Sequence, residues 1–133
     1  MDAGQADDTG LSPFVRFSRQ EWGQLLAATS FSVSEDDVRD LQRISKHLSS
    51  EEATKVYLPL SWLLYLYVSA TQDLYRRVRA FLAKEEETEV PYVVGIAGSV
   101  AAGKSTVAQM LQALISRWPG SPEVRLVSTD GFL

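Results

Sequence analysis

Between two apolar runs of different periodicity lies Gly98-Ser99-Val100-Ala101-Ala102-Gly103-Lys104-Ser105, the segment that most restricts what this chain can become. Before it, Tyr92 to Ala97 is rich in β-branched residues and reads as a strand. After it, Val107, Met110, Leu111, Leu114, Ile115 and Trp118 recur at helical spacing. A strand, a loop bounded by glycines and a helix, with lysine and a hydroxyl residue closing the loop, make a Walker A phosphate loop. The glycines let the backbone turn sharply and bring bare N–H groups against a polyphosphate. Lys104 then sets a cation on the β- and γ-phosphates, Ser105 offers its hydroxyl to Mg²⁺, and the helix adds the positive end of its dipole. Gly98, Ser99, Val100, Ala101, Ala102, Gly103, Lys104, Ser105 and Thr106 are therefore the candidate nucleotide-binding residues, with Ser105 on the metal side. The competing reading, a glycine turn that only links strand to helix, is disfavoured by the correct flanking pattern on both sides.

Composition narrows the partners. A net charge of −4 and a pI near 5.0 argue against nucleic acid or an anionic membrane as the main partner, because neither binds readily without a basic patch. Cysteine is absent, which excludes disulfides and thiolate metal sites and fits a reducing cytoplasm. Met1 to Gly10 is acidic and polar, unlike a secretory signal, and reads as a disordered tail over residues 1–11. The most apolar stretch, Trp62 to Val68, falls well short of the roughly 20 residues a membrane span needs. A soluble, cytoplasmic protein is expected.

Residues 12–83 read as all-helical. Ser18 with Glu21 forms a capping box, and Phe17 and Trp22 sit at the spacing of a hydrophobic staple, so a first helix is expected to about Ala28. Ser34 with Asp37 opens a second, whose stripe is Val38, Leu41, Ile44 and Leu48, and Ser49 with Glu52 opens a third. Pro59 should break or kink that helix. Leu60, Leu63, Leu64, Tyr67, Leu74, Val78 and Phe81 then mark one broad face of a long helix, expected to be a core face, with dimerisation as the minority reading. The charged residues 84–90 read as a linker. His47, the single histidine, lies in a polar stretch and is assigned no role.

Pro119-Gly120 stops the helix after the phosphate loop, and Val124 to Val127 makes a second strand-like run that ends in Ser128-Thr129-Asp130-Gly131. Strand, loop, helix and strand make one βαβ unit, so the expected fold is α/β: the first unit of a parallel sheet over residues 91–133, behind an all-helical N-terminal segment. Residues just past strand carboxyl ends line the ligand crevice of such a sheet, which places Asp130 near the γ-phosphate. A carboxylate there can accept the proton of an attacking hydroxyl. On spacing alone, a structural Asp-Gly turn is an equal reading.

Longer words in the sequence separate these readings. Tyr57-Leu58-Pro59-Leu60-Ser61, Pro91 to Ser105, Leu111-Gln112-Ala113-Leu114 with Ser116-Arg117-Trp118-Pro119, and Thr129-Asp130-Gly131-Phe132-Leu133 together resemble bacterial type I pantothenate kinase, a P-loop kinase. The likeness covers Ser12 to Leu133. It implies ATP-dependent phosphorylation of pantothenate, the first step of coenzyme A synthesis, with ATP and Mg²⁺, in a homodimer that coenzyme A inhibits. It also implies that Asp130 is the catalytic carboxylate and that Lys104 steadies the transferring phosphoryl group. Ala102 and Gln109 stand where the family usually has valine and arginine, and Ser45, Arg43 and Trp62 depart from its usual asparagine, glycine and arginine. The family continues past the Thr-Asp-Gly-Phe-Leu word, so residues 1–133 alone are expected to be inactive. The alternatives are another P-loop small-molecule kinase, such as a uridine kinase or phosphoribulokinase, and a non-catalytic remnant that binds a nucleotide or a partner.

Overall fold

The computed structural model describes residues 13–27, 34–44, 49–84, 90–98, 103–120 and 122–129. Five α-helices occur among them: α1 (Arg19–Gln24), α2 (Glu35–Ile44), α3 (Ser50–Glu52), α4 (Leu58–Phe81) and α5 (Lys104–Ile115). A π-helical segment, Ala53–Tyr57, joins α3 to α4.

Side chains start the first three helices. At α1 the Glu21 N–H donates to Ser18 Oγ at 3.2 Å and the Ser18 N–H donates to Glu21 Oε2 at 2.7 Å, so both arms of the box are made. Phe17 and Trp22 pack with ring centroids 5.6 Å apart, completing the staple. The helix is shorter than its caps suggest, ending at Gln24 and passing into a turn. At α2 the Asp37 N–H donates to Ser34 Oγ and the Ser34 N–H to Asp37 Oδ2, each at 3.1 Å. Ser49 Oγ accepts from the Glu52 N–H at 3.1 Å.

Pro59 acts by resetting the helix rather than ending it. It has no N–H to give the carbonyl four residues back, so the α register cannot run through it from α3. The chain instead loosens into the π turn and restarts, with Pro59 in the first turn of α4, where the missing donor costs nothing. The Val56 carbonyl in the π segment accepts the Trp22 indole N–H at 3.0 Å, which ties α1 to this joint.

The core lies where α4, α5 and α2 meet. Leu26, Leu41, Leu58, Met110, Leu111, Leu114, Ile115 and Trp118 are buried, with Ile44, Leu60, Trp62, Leu64, Tyr65 and Val107 packed around them. The apolar face read for α5 is therefore the face it buries. The Trp118 ring lies 4.4 Å from that of Trp62 and 6.1 Å from that of Tyr65, and its indole N–H donates to the fully buried Ser61 hydroxyl at 3.0 Å. The Ser61 hydroxyl in turn donates a hydrogen bond to the Leu58 carbonyl at 2.7 Å. Among the described residues no buried side-chain polar atom lacks a partner.

Two expectations meet a different outcome. Among the described residues only the first turn of α4 is fully buried, at Leu58, Pro59 and Ser61; Leu63, Tyr67, Leu74, Val78 and Phe81 of the expected core stripe are exposed, Phe81 at 88%. The other described helices pack beside the start of α4, and 24 residues at about 1.5 Å each carry its far end well past them. The second concerns the strand-like runs. Residues 91–98 and 122–128 carry no regular secondary structure, and no strand occurs among the described residues. Strand backbone is satisfied only by a neighbour, and two runs are fewer than a sheet needs to persist. Glutamines hold both segments to helices instead: Gln72 of α4 donates to the Val90 carbonyl, and Gln112 of α5 to that of Val124 at 2.8 Å. No described helix is long and apolar enough to cross a membrane.

Two stability outcomes follow from this packing. Ser61→Ala leaves the Trp118 indole N–H buried without an acceptor, and thermal melts should show a loss of about 1–3 kcal/mol. The Ser34 hydroxyl, opposed by partial burial and aided by the Ser34 N–H and Arg117, holds the Asp37 carboxyl below its usual range. A carboxyl depressed in the folded state contributes stability above its unfolded pKa and loses it as the pH falls through the folded value. Melts of the wild type and Asp37→Asn should therefore differ at neutral pH and converge below about pH 4.

Candidate nucleotide-binding site

The site is built around the start of α5. Gly103 is the N-cap and takes φ 72° and ψ 28°, the left-handed conformation that a side chain at Cβ disfavours. Its carbonyl accepts the Val107 N–H at 3.1 Å, so the helix is formed from its first residue. Among the described residues no side chain caps this end, in contrast to α1, and no acidic residue lies in its first turn. The first-turn N–H groups have no partner within a helix by construction, so they point outward as donors. Lys104 stands at the same turn, partly exposed, with Ser105 exposed and Thr106 partly exposed beside it. No described residue forms an ion pair with Lys104. The turn thus gathers aligned amide donors, a cation and two hydroxyls, which together suit a polyanion.

Gly98 is exposed at the end of the run that precedes the loop. Ser99, Val100, Ala101 and Ala102 lie outside the described residues, and so does Asp130. The described residues therefore bring together Gly103, Lys104, Ser105 and Thr106 on one turn. Among the described residues, no group of three or more His, Asp or Glu could hold a metal ion.

Sequence reasoning missed what holds this helix at its other end. Arg117, just past the C-cap, puts Nε 2.6 Å from Asp37 Oδ1 and Nη2 3.2 Å from Asp40 Oδ2, both on α2, while Nη1 donates to the Ala113 carbonyl at 3.1 Å. Tyr65 adds a hydrogen bond from its hydroxyl to the Pro119 carbonyl at 3.0 Å. The acids at i and i+3 on α2 were visible in the sequence, but their partner lies some 80 positions away and no local spacing reveals it.

Comparison with known proteins adds what geometry leaves open. No family model matches the chain. Individual curated relatives do, and they are kinases. Each is named a pantothenate kinase: the chain is 49% identical over 131 residues to that of Xanthobacter autotrophicus, 46% over 132 residues to that of Parvibaculum lavamentivorans, and 50% over 123 residues to that of Vibrio cholerae. The alignments take in 95%, 99% and 92% of this chain, and 41%, 40% and 39% of the respective relatives. The chain thus spans about two fifths of the length of the curated relatives it matches and corresponds to their N-terminal portion. Over nearly all of its residues it is homologous to that portion of pantothenate kinases.

Gly103→Ala tests the turn. The space around the new methyl is open, so the cost comes from the positive φ alone, about 1–2 kcal/mol in a thermal melt. Relaxation of that strain should also lower phosphate affinity, measured by titration with MgATP.

Proposed function

We propose that the protein carrying this chain is a pantothenate kinase, which moves the γ-phosphoryl group of ATP to the primary hydroxyl of pantothenate, the opening step of coenzyme A synthesis. The observation that carries the reading is the uncapped start of α5, with left-handed Gly103 followed by Lys104 and Ser105, in a chain about half identical to proteins of that name.

The loop from Gly98 to Thr106 wraps the phosphates, with the amides of Ser99, Val100, Ala101, Ala102 and Gly103 as donors and the α5 dipole behind them. Lys104 pairs with the β- and γ-oxygens and follows the charge as it shifts toward the β-phosphate. The Ser105 hydroxyl would help to hold Mg²⁺, which when bound would supply further neutralisation of that charge. Ser105 is exposed on the first turn, as a hydroxyl with that task must be. Asp130 orients the pantothenate hydroxyl and accepts its proton as the new P–O bond forms and the bond to the β-bridging oxygen breaks.

The same reading carries the wider architecture. The runs at 91–97 and 124–127 become neighbouring parallel strands of a P-loop kinase sheet, within a domain starting at residue 91 that follows a tail (1–11), a helical segment (12–83) and a linker (84–90). A cytoplasmic homodimer, inhibited by coenzyme A, is the form that the family resemblance supports.

The test is made in the protein that carries these residues. Lys104→Ala should weaken MgATP binding by calorimetry at least tenfold, as expected for loss of a charge-assisted phosphate contact. Asp130→Asn should lower kcat by about 10²-fold or more while leaving ATP affinity near wild type. Unchanged ATP affinity in the first variant, or normal turnover in the second, contradicts the assignment.

A further inference from the structure

Helix α5 meets its ligand at one end and the rest of the protein at the other. Its first turn is exposed or partly exposed, whereas Trp118, Pro119 and Arg117 beyond its last turn are held by Ser61, Tyr65, Asp37 and Asp40. The 12 residues of α5 make a rod of about 18 Å. A pivot of only 10° about its anchored end carries the phosphate-binding turn through about 3 Å, and a misplacement of about 1 Å is already costly for a reacting group. What stops that pivot decides how well the turn is aimed.

The apolar contacts of Met110, Leu111, Leu114 and Ile115 resist it through close packing but supply no directional bond. The Trp118 to Ser61 bond is directional but anchors the rod to α4 alone, leaving a hinge. Arg117 supplies the second point, on a different helix. All three of its guanidinium nitrogens are engaged: Nε and Nη2 reach two carboxylates one turn apart on α2, and Nη1 reaches back to the Ala113 carbonyl of α5 itself. Asp37 is fixed in turn by Ser34, whose N–H and hydroxyl both donate to Oδ2, so the anchor is not a loose surface pair. Arg117 and Asp37 are 28% and 25% exposed, low enough for the pair to be only lightly screened.

We infer that Arg117 is a positioning residue for the nucleotide: clamped to Asp37 and Asp40, it fixes the direction in which α5 presents Gly103 to Thr106 and so sets ATP affinity without touching ATP. The inference rests on the phosphate-loop reading of that turn. Lysine cannot replace arginine here, because a single ammonium cannot span three acceptors in one plane.

The experiment compares wild type, Arg117→Ala, Arg117→Lys, Asp37→Asn and the Arg117→Ala/Asp37→Asn pair in the protein carrying this chain, with MgATP as the probe. Work at 15 °C, with far-ultraviolet circular dichroism, keeps only folded variants in the comparison. Arg117→Ala and Arg117→Lys should each raise Kd and KM for MgATP roughly 2- to 30-fold, the range for a residue coupled through a packed network. KM for the acceptor should stay within twofold. Asp37→Asn, which keeps the Ser34 cap but loses its charge, should give part of the same rise, and the double variant no more than Arg117→Ala alone. If Arg117→Ala fails to fold, Arg117→Lys and Asp37→Asn decide by the same readout. Wild-type MgATP affinity in the folded variants overturns the inference, even where their melting points fall. A wild-type protein that binds no MgATP, or binds it equally well as Lys104→Ala, overturns the phosphate-loop reading itself.

Discussion

The indole of Trp118 is the contact on which the rest of the described structure depends. It sits at the crossing of α5 and α4, in ring contact with Trp62 and Tyr65, and its one polar atom is satisfied by the buried Ser61 hydroxyl. An aromatic side chain contributes most of its stabilisation through burial, but its N–H must find an acceptor or the burial is offset. Ser61 can accept because its own O–H donates to the Leu58 carbonyl, in the turn that Pro59 helps to begin. The π segment, the proline, the serine and the tryptophan are thus one device. The first two set where α4 starts, and that sets where Ser61, the acceptor for Trp118, stands.

Because this device lies at one end of α4, the helix has two unlike halves. The first turn is buried by α5 and its neighbours, while Tyr67, Leu74, Tyr75, Val78 and Phe81 farther along are exposed. The sequence pattern does not distinguish them, since Leu60 and Leu64 recur at the same spacing as Leu74, Val78 and Phe81. Periodicity reports that a face is apolar; what covers it depends on where other elements reach. The strand-like runs teach the same lesson. Tyr92 to Ala97 has strand composition, but a strand is a property of a pair, and the described residues hold no ladder for it.

What was legible in the sequence was local. The boxes at Ser18 and Ser34, the staple of Phe17 on Trp22, the apolar face of α5 and the glycine before Lys104 each follow from spacing within one or two turns, and each stands in the structure. The family likeness was legible as well, because it was carried by whole words such as Ser116-Arg117-Trp118-Pro119. The clamp of Arg117 on α2 was not, since it joins residues far apart in the chain and arginine after a helix usually only caps its own carbonyls. The candidate phosphate site was readable as a motif, yet Asp130 and the centre of the loop, which would complete it, lie outside the described residues.

The helices differ in the charge at their first turns. The macrodipole makes the first turn of a helix a poor place for a cation, by about 0.3–1 kcal/mol at an exposed site, and a good place for an acid. α1 and α2 obey that rule, with Glu21 in one first turn and Glu35, Asp36 and Asp37 in the other. α5 breaks it: its first residue is Lys104, its first turn has no acid, its cap is a glycine with no side chain to offer, and Arg117 secures it only at the far end. A helix start that repels its own lysine gains from an anion in front of it, because one bound charge meets the dipole, the bare amides and the ammonium together. The local rule and the packed core agree everywhere else in α5, so its one local violation falls at the turn where a phosphate would resolve it.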